Sequence, residues 1–305
     1  MRFINRLKNV IKLISTIDSR LQRIQQSIGR LESKQLTFQN PKNFSDYEFQ
    51  VTSQWGEDGL IQHLINKIEI ENPIFVEFGV ERYVESNTRF LAANNNWAGL
   101  VIDGSKENIQ YIKNDPIYWQ HNIKAECAFI DKENINSLIE KNGISGDIGL
   151  LSVDIDGNDY WVWDAINIVN PRIVICEYNS LWGANLPVST PYNPQFVRSD
   201  SHFSNLYYGA SIKAFTELAK NKGYSLVGSN KAGNNIFFVR DDLVSNLDVV
   251  APENAWVQSQ FSEARDESGH LTFLSFKERL NQVSDQTLIN VNDGKKYSIR
   301  ELYDL

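Results

Sequence analysis

The apolar positions of the first thirty residues repeat with a period of seven. Leu7, Ile14, Leu21 and Ile28 open four heptads, and Val10, Ile17, Ile24 and Leu31 follow each of them by three positions. Two apolar positions per heptad over four heptads predict a coiled-coil helix over residues 1–37, with homo-oligomerisation through residues 7–31. β-Branched residues at three of the four second positions lean away from a parallel dimer and towards trimers or tetramers. Two other readings of the same helix stand open. Arg2, Arg6, Lys8 and Lys12 flank Phe3, Ile4 and Ile11, a composition that also suits peripheral contact with anionic lipid. Alternatively, the helix packs on its own domain.

Asn40-Pro41 breaks the helical pattern and places a linker at 38–50. A globular domain over 51–243 follows, in which short apolar runs alternate with helical patterns. The strand-like runs are 74–78, 99–102, 125–130, 148–153, 172–176, 224–227 and 235–239. Helical stretches are expected at 57–68, 86–95, 106–113, 133–141, 160–168 and 211–222. This alternation predicts an α/β fold with a Rossmann-like, seven-stranded, mostly parallel sheet. Only Gly228 to Asn234 joins the last two strands, too few residues for a crossover helix, so the last strand is expected to be antiparallel. The tail, 244–305, reads as a lid or oligomer contact, with a helical stretch near Trp256 and a hairpin at Asn292-Asp293-Gly294-Lys295.

Charge narrows the partners. The chain of 305 residues carries a net charge of -8, while residues 1–35 hold eight Lys/Arg and two Asp/Glu, which leaves -14 for the rest. A body this acidic is not suited to nucleic acid. Two cysteines, Cys127 and Cys176, make no disulfide framework and no metal motif, so a reducing, cytoplasmic setting is expected, with the inner face of a membrane as a second location. No run approaches the ~18 apolar residues of a membrane span, and the charged N-terminus does not read as a signal peptide.

In an open parallel sheet, ligands bind beyond the carboxyl ends of the strands, so the residues after each run carry the candidate chemistry. Val76-Glu77-Phe78-Gly79-Val80 ends the first run with an acid and a glycine but lacks the further glycines of a phosphate cradle. Asp103-Gly104-Ser105 ends the second, where an acid accepts hydrogen bonds from ribose hydroxyls. A ribose without a phosphate site, among acids at 77, 81 and 85, suits S-adenosylmethionine, a sulfonium cation, better than a dinucleotide. The fourth run leads into Asp154-Ile155-Asp156-Gly157-Asn158-Asp159 and the fifth ends at Glu177, which crowds carboxylates at one edge. A divalent cation, the methyl donor's own charge or a raised pKa would each offset that crowding. His202, in a long connection, is a second base candidate. Tyr178, Trp182, Tyr207 and Tyr208 read either as an aromatic acceptor wall or as core.

With these motifs, LVIDGS, LLSVDIDGNDYWVW, VICEYNS, YYGAS, NNIFFVRDDL and SQWGEDGLI complete a pattern that resembles the FkbM-like branch of class I S-adenosylmethionine-dependent methyltransferases. The resemblance spans residues 50 to 243. It implies methyl transfer to a hydroxyl of a sugar, surface glycan or related small molecule. It also implies donor binding by Glu77, Gly79, Asp103, Gly104, Ser105 and Asp154. Asp156, Asp159 or His202 would take the hydroxyl proton, and similarity to magnesium-dependent sugar methyltransferases suggests Mg2+ at Asp156 and Glu177. Glu81 and Arg82 depart from the family pattern, standing where many methyltransferases have a further glycine. A non-catalytic coiled-coil scaffold within a polysaccharide assembly and a nicotinamide-dependent oxidoreductase are the competing readings.

Overall fold

The computed structural model describes residues 2–305; within the first helix it describes the side chains of Arg6, Thr16, Ile17 and those from Ser19 onward. The heptad positions Leu7, Val10 and Ile14 and the apolar residues Phe3, Ile4 and Ile11 lie outside the described side chains, as do Arg2, Lys8 and Lys12.

Helix α1 (Arg2–Gln39) leads through a turn to α2 (Glu57–Lys67) and β1 (Ile74–Phe78). Then come α3 (Arg89–Asn95), β2 (Ala98–Asp103), α4 (Lys106–Asn114), α5 (Pro116–Gln120), β3 (Ile123–Cys127) and α6 (Ile135–Lys141). The second half holds β4 (Gly146–Val153), α7 (Asp159–Ala165), β5 (Val169–Glu177), β6 (Val188–Ser189), α8 (Arg198–Ser201), α9 (Ile212–Lys222), β7 (Tyr224–Ser229) and β8 (Asn235–Arg240). The tail contributes α10 (Pro252–Ala255), α11 (Phe276–Gln282), β9 (Thr287–Asn290), β10 (Lys296–Ser298) and α12 (Ile299–Tyr303).

Seven strands form one sheet in the order β3-β2-β1-β4-β5-β8-β7, with β8 antiparallel to both its neighbours and the others parallel. Alternation along the strands feeds two cores. Val76, Phe78, Val174 and Cys176 face one side, while Phe75, Ile173 and Ile175 face the other. Both faces are covered, so the central strands read as continuous apolar runs. The order reverses between β1 and β4, which opens a crevice at their carboxyl ends.

One expectation shifts. β3 runs from Ile123 to Cys127 rather than from 125 to 130, which releases Ala128, Phe129 and Ile130 into the loop beyond the strand end. The tail packs on the domain. β6, β9 and β10 form a small sheet, and Leu280, Leu288 and Ile299 share a core with Trp182, Phe196 and Tyr208.

Helix α1 continues to Gln39, where Asn40 takes the left-handed conformation at φ 45° and Pro41 prevents resumption. One face of its second half docks on the domain: Gln25 Nε2 donates to the Val51 carbonyl at 2.6 Å, Gly29 is buried and Leu36 packs beside Val51 and Phe90. The heptad face points away, with Ile17, Leu21, Ile24, Ile28 and Leu31 exposed by 49% to 66%. Among the described residues, no helix is long and apolar enough to cross a membrane.

A Cβ at Gly29 would stand 2.3 Å from Val51 Cγ2 and 3.1 Å from the Phe90 ring. Gly29→Leu therefore overpacks the joint, and urea unfolding is expected to show a loss of about 1–3 kcal/mol. Gly29→Ala is expected to lose less.

Candidate active site

The first turn past β1 is set by contact. Gly79 adopts φ +67°, and a Cβ there would lie 1.7 Å from the carbonyl oxygen of Asp154, so only glycine lets the ends of β1 and β4 close together. Its N–H donates to the Ile102 carbonyl at 3.0 Å. The next residues bend without glycine: Glu81 at φ 46° and Tyr83 at φ 59° take left-handed conformations themselves. The payoff is a backbone donor, for the Glu81 N–H reaches Asp103 Oδ2 at 2.8 Å.

Asp103 is thereby almost saturated. Oδ1 accepts from the Ser105 N–H at 2.8 Å and from Asn108 Nδ2 at 3.0 Å, so Oδ2 keeps the one remaining lone pair for a ligand hydroxyl. Ser105 itself caps α4, accepting from the Asn108 N–H at 3.3 Å, and is not on the cavity wall; Gly104 is. Glu77 also turns away from the cavity. It is buried and accepts the N–H groups of Asn87 at 2.8 Å and Thr88 at 3.1 Å, together with the Thr88 hydroxyl. The acid expected to meet the donor instead ties the loop before α3 back to the strand.

The loop after β4 divides its acids in the same way. Asp159 is fully buried, accepting the Ile155 N–H at 2.7 Å on one oxygen and the Gly157 N–H at 2.8 Å on the other. This corrects its assignment as a base: its lone pairs fold the loop, and it does not reach the cavity. Asp154 and Asp156 do line the cavity. Asp154 is pushed well above the usual carboxylate range by burial, then by the charges of Asp156 and Asp159. Glu177, on the neighbouring strand, is raised by burial and by Asp154, and its Oε2 has no hydrogen-bond partner among the described residues.

The cation that faces these acids is Arg198 of α8. Its guanidinium pairs with Asp156 at 2.8 Å and with Glu263 of the tail, donates through Nε to the Asn205 carbonyl at 2.8 Å, and lies 3.7 Å from the centre of the Tyr208 ring. Magnesium does not fit this arrangement. Among the described residues no three His, Cys, Asp or Glu side chains are grouped to hold a metal, and the Arg198 charge stands against Asp156 where the ion was expected.

Around these groups is a cavity of about 600 Å³. Gly79, Glu81, Asp103 and Asp154 form one side, Ala128, Phe129 and Ile130 an apolar side, and Glu263 and Arg265 of the tail reach its edge. The tail thus belongs to the site. His202 does not: its Nδ1 lies 2.7 Å from the Ser204 hydroxyl and its ring rests on Phe203, away from the cavity wall. Nor do Tyr178, Trp182, Tyr207 and Tyr208 form an acceptor wall. They anchor the tail, as when the Tyr178 hydroxyl donates to the Val257 carbonyl at 3.0 Å. Sequence reasoning misses Arg198 and Glu263; nothing in their spacing marks them, and only the fold brings them to the cavity.

No family model matches the chain, and no curated protein matches it. Among solved structures, it is similar to the N-terminal domain of EvdMO1 with SAH bound, at 10% identity over 69% of this chain and 95% of that one, with a TM-score of 0.41. It is similar to an S-adenosylmethionine-dependent methyltransferase from Clostridium acetobutylicum ATCC 824, at 11% identity over 67% and 95%, with a TM-score of 0.39. PKMT2 from Rickettsia typhi in complex with AdoHcy is 12% identical over 81% of this chain and 71% of its own, with a TM-score of 0.41. Likenesses this distant say nothing of what this chain binds.

Burial pushes Asp159 up to about 7, with Asp156 adding to the rise and the two loop N–H groups opposing it. Glu77 is likewise raised to about 7 by burial, against the bonds from Thr88 and Asn87. A carboxyl raised on folding stabilises fully below its unfolded pKa near 4, and that contribution is lost as pH rises through 7. Asp159→Asn sets an amide N–H against a backbone N–H and is expected to cost about 1–3 kcal/mol at pH 5. The gap to wild type should narrow between pH 5 and pH 8 in thermal melts.

Proposed function

We propose that the chain is an S-adenosylmethionine-dependent methyltransferase acting on a hydroxyl of a sugar, surface glycan or related small molecule. The observation that carries this reading is Asp103, with one free lone pair, standing in the cavity at the β1/β4 switch beside a turn that lacks a phosphate cradle. Glu81, Asp103, Asp156 and Glu263 outnumber Arg198 and Arg265 on the wall, which disfavours a pyrophosphate and favours a cationic nucleoside. Ala128, Phe129 and Ile130 offer apolar surface to a base, and Asp103 accepts a ribose hydroxyl.

Held by Asp103 and the apolar side of the cavity, S-adenosylmethionine would supply a sulfonium methyl group for transfer to the acceptor oxygen, with a neutral thioether as the leaving group. The chain's own task is to hold the acceptor and take its proton. Asp154 is the better base: it lines the cavity and its raised pKa brings it nearer the range in which a carboxylate removes a hydroxyl proton. Asp156, one of the bases expected from the sequence, pairs with Arg198 and positions that side chain instead.

The exposed heptad face of α1 supports homo-oligomerisation through residues 7–31, because the helix already docks on its domain by a different face. Leu21→Glu/Ile28→Glu is expected to reduce the mass in sedimentation equilibrium to a smaller species while leaving the melting temperature within a few degrees. An unchanged mass would count against the coiled coil.

Titration calorimetry with S-adenosylmethionine tests the donor. Wild type is expected to bind, and Asp103→Ala to lose about tenfold or more in affinity, the worth of one charge-assisted hydrogen bond. Asp154→Asn is expected to keep donor affinity and to lose turnover. In wild type, turnover should rise with pH through the raised pKa of Asp154. A folded chain that binds no donor would favour the scaffold reading.

A further inference from the structure

The tail forms a hairpin whose tip, Glu267 to His270, is polar and whose return segment exposes Leu271 and Phe273. The Thr272 N–H donates to the Ala264 carbonyl at 2.7 Å and the Asp266 N–H to the His270 carbonyl at 3.0 Å, so Arg265 and Leu271 are directly opposed as a non-hydrogen-bonded pair. Such partners project from the same face at close range. Arg265 is on the cavity wall, so Leu271 stands next to that wall, and Phe273, two residues on, is exposed as Leu271 is while Thr272 between them is part-buried. Phe273 is 83% exposed and Leu271 47%. The Arg265 N–H donates to the Ser204 carbonyl at 3.1 Å, and Val197, also exposed, lies on the cavity wall itself.

We propose that this apolar apron binds the hydrophobic part of the acceptor, so that the substrate is an amphipathic hydroxyl compound with its polar head in the cavity and an alkyl chain or apolar ring along Leu271 and Phe273. The proposal rests on the methyltransferase reading for the role of the cavity. The continuity of the apron with the acidic cavity carries it: one molecule that filled both would need opposite character at its two ends. Exposed apolar side chains grouped beside a polar pocket otherwise have no stabilising role.

The test is titration of the full chain with octyl β-glucoside below its micelle threshold and with methyl β-glucoside, each with and without S-adenosylhomocysteine. Burial of two methylenes alone is worth about tenfold, so the octyl compound is expected to bind at least that much more tightly. Leu271→Ser/Phe273→Ser should remove most of this gain, while Leu21→Ser/Ile28→Ser, on the α1 face, should not. Equal affinity for the two glucosides, or an octyl advantage that survives Leu271→Ser/Phe273→Ser, would overturn the proposal. So would loss of binding to phosphatidylglycerol vesicles in that variant with octyl glucoside unaffected, since the apron would then be a membrane contact. Failure to bind S-adenosylhomocysteine would sink the methyltransferase reading alone, because the octyl arm is read independently of it.

Discussion

The structure depends on one close approach, the passage of the β1 turn over the end of β4 at Gly79. No side chain fits between this backbone and the Asp154 carbonyl, 1.7 Å from where a Cβ would be. Because the two strands meet there, the strand order can reverse with only a narrow crevice, and the residues that follow each strand converge on it. Glu81 and Tyr83 then carry left-handed backbone that glycine would adopt more cheaply. Local strain of this kind is retained where the surrounding bonds over-determine it, and the Glu81 N–H bond to Asp103 is such a bond.

The second constraint is charge. Asp154, Asp156, Asp159 and Glu177 occupy the ends of two adjacent strands, an arrangement that is costly without compensation. The chain meets the cost in three ways. Backbone N–H groups satisfy Asp159, Arg198 neutralises Asp156, and burial leaves Asp154 and Glu177 favouring the protonated form. Arg198 also bonds Glu263, so the same cation that quiets the acids fastens the tail at the cavity edge. Electrostatics and the placing of the tail are therefore one device.

The sheet was legible because its strands are buried on both faces and announce themselves as apolar runs, down to the short Gly228–Asn234 connection that imposes β8 antiparallel. Asp103, Gly79 and Gly104 were legible for the same reason: a strand end locates them. What sequence could not give was direction. Glu77 and Asp159 are acids at the right places whose side chains turn back to hold their own loops, and no spacing distinguishes such an acid from one that faces a ligand. His202 sits in a connection long enough to overhang the site, but its imidazole is engaged with Ser204. Arg198 and Glu263 come from segments without periodicity, and their meeting is a property of tertiary packing. The end of β3 was placed too late because Ala128 to Ile130 are as apolar as the strand before them.

The account stands on the cavity at the β1/β4 switch as the donor site. A crystal structure of the full chain with S-adenosylhomocysteine tests that most directly. The ligand is predicted in the cavity with a ribose hydroxyl on Asp103 Oδ2, its base against Phe129 and Ile130, and its sulfur on the Asp154 side. Density elsewhere, as in the groove between the Asn40–Tyr47 segment and β7, or none in a well-ordered crystal grown at saturating ligand, would contradict it.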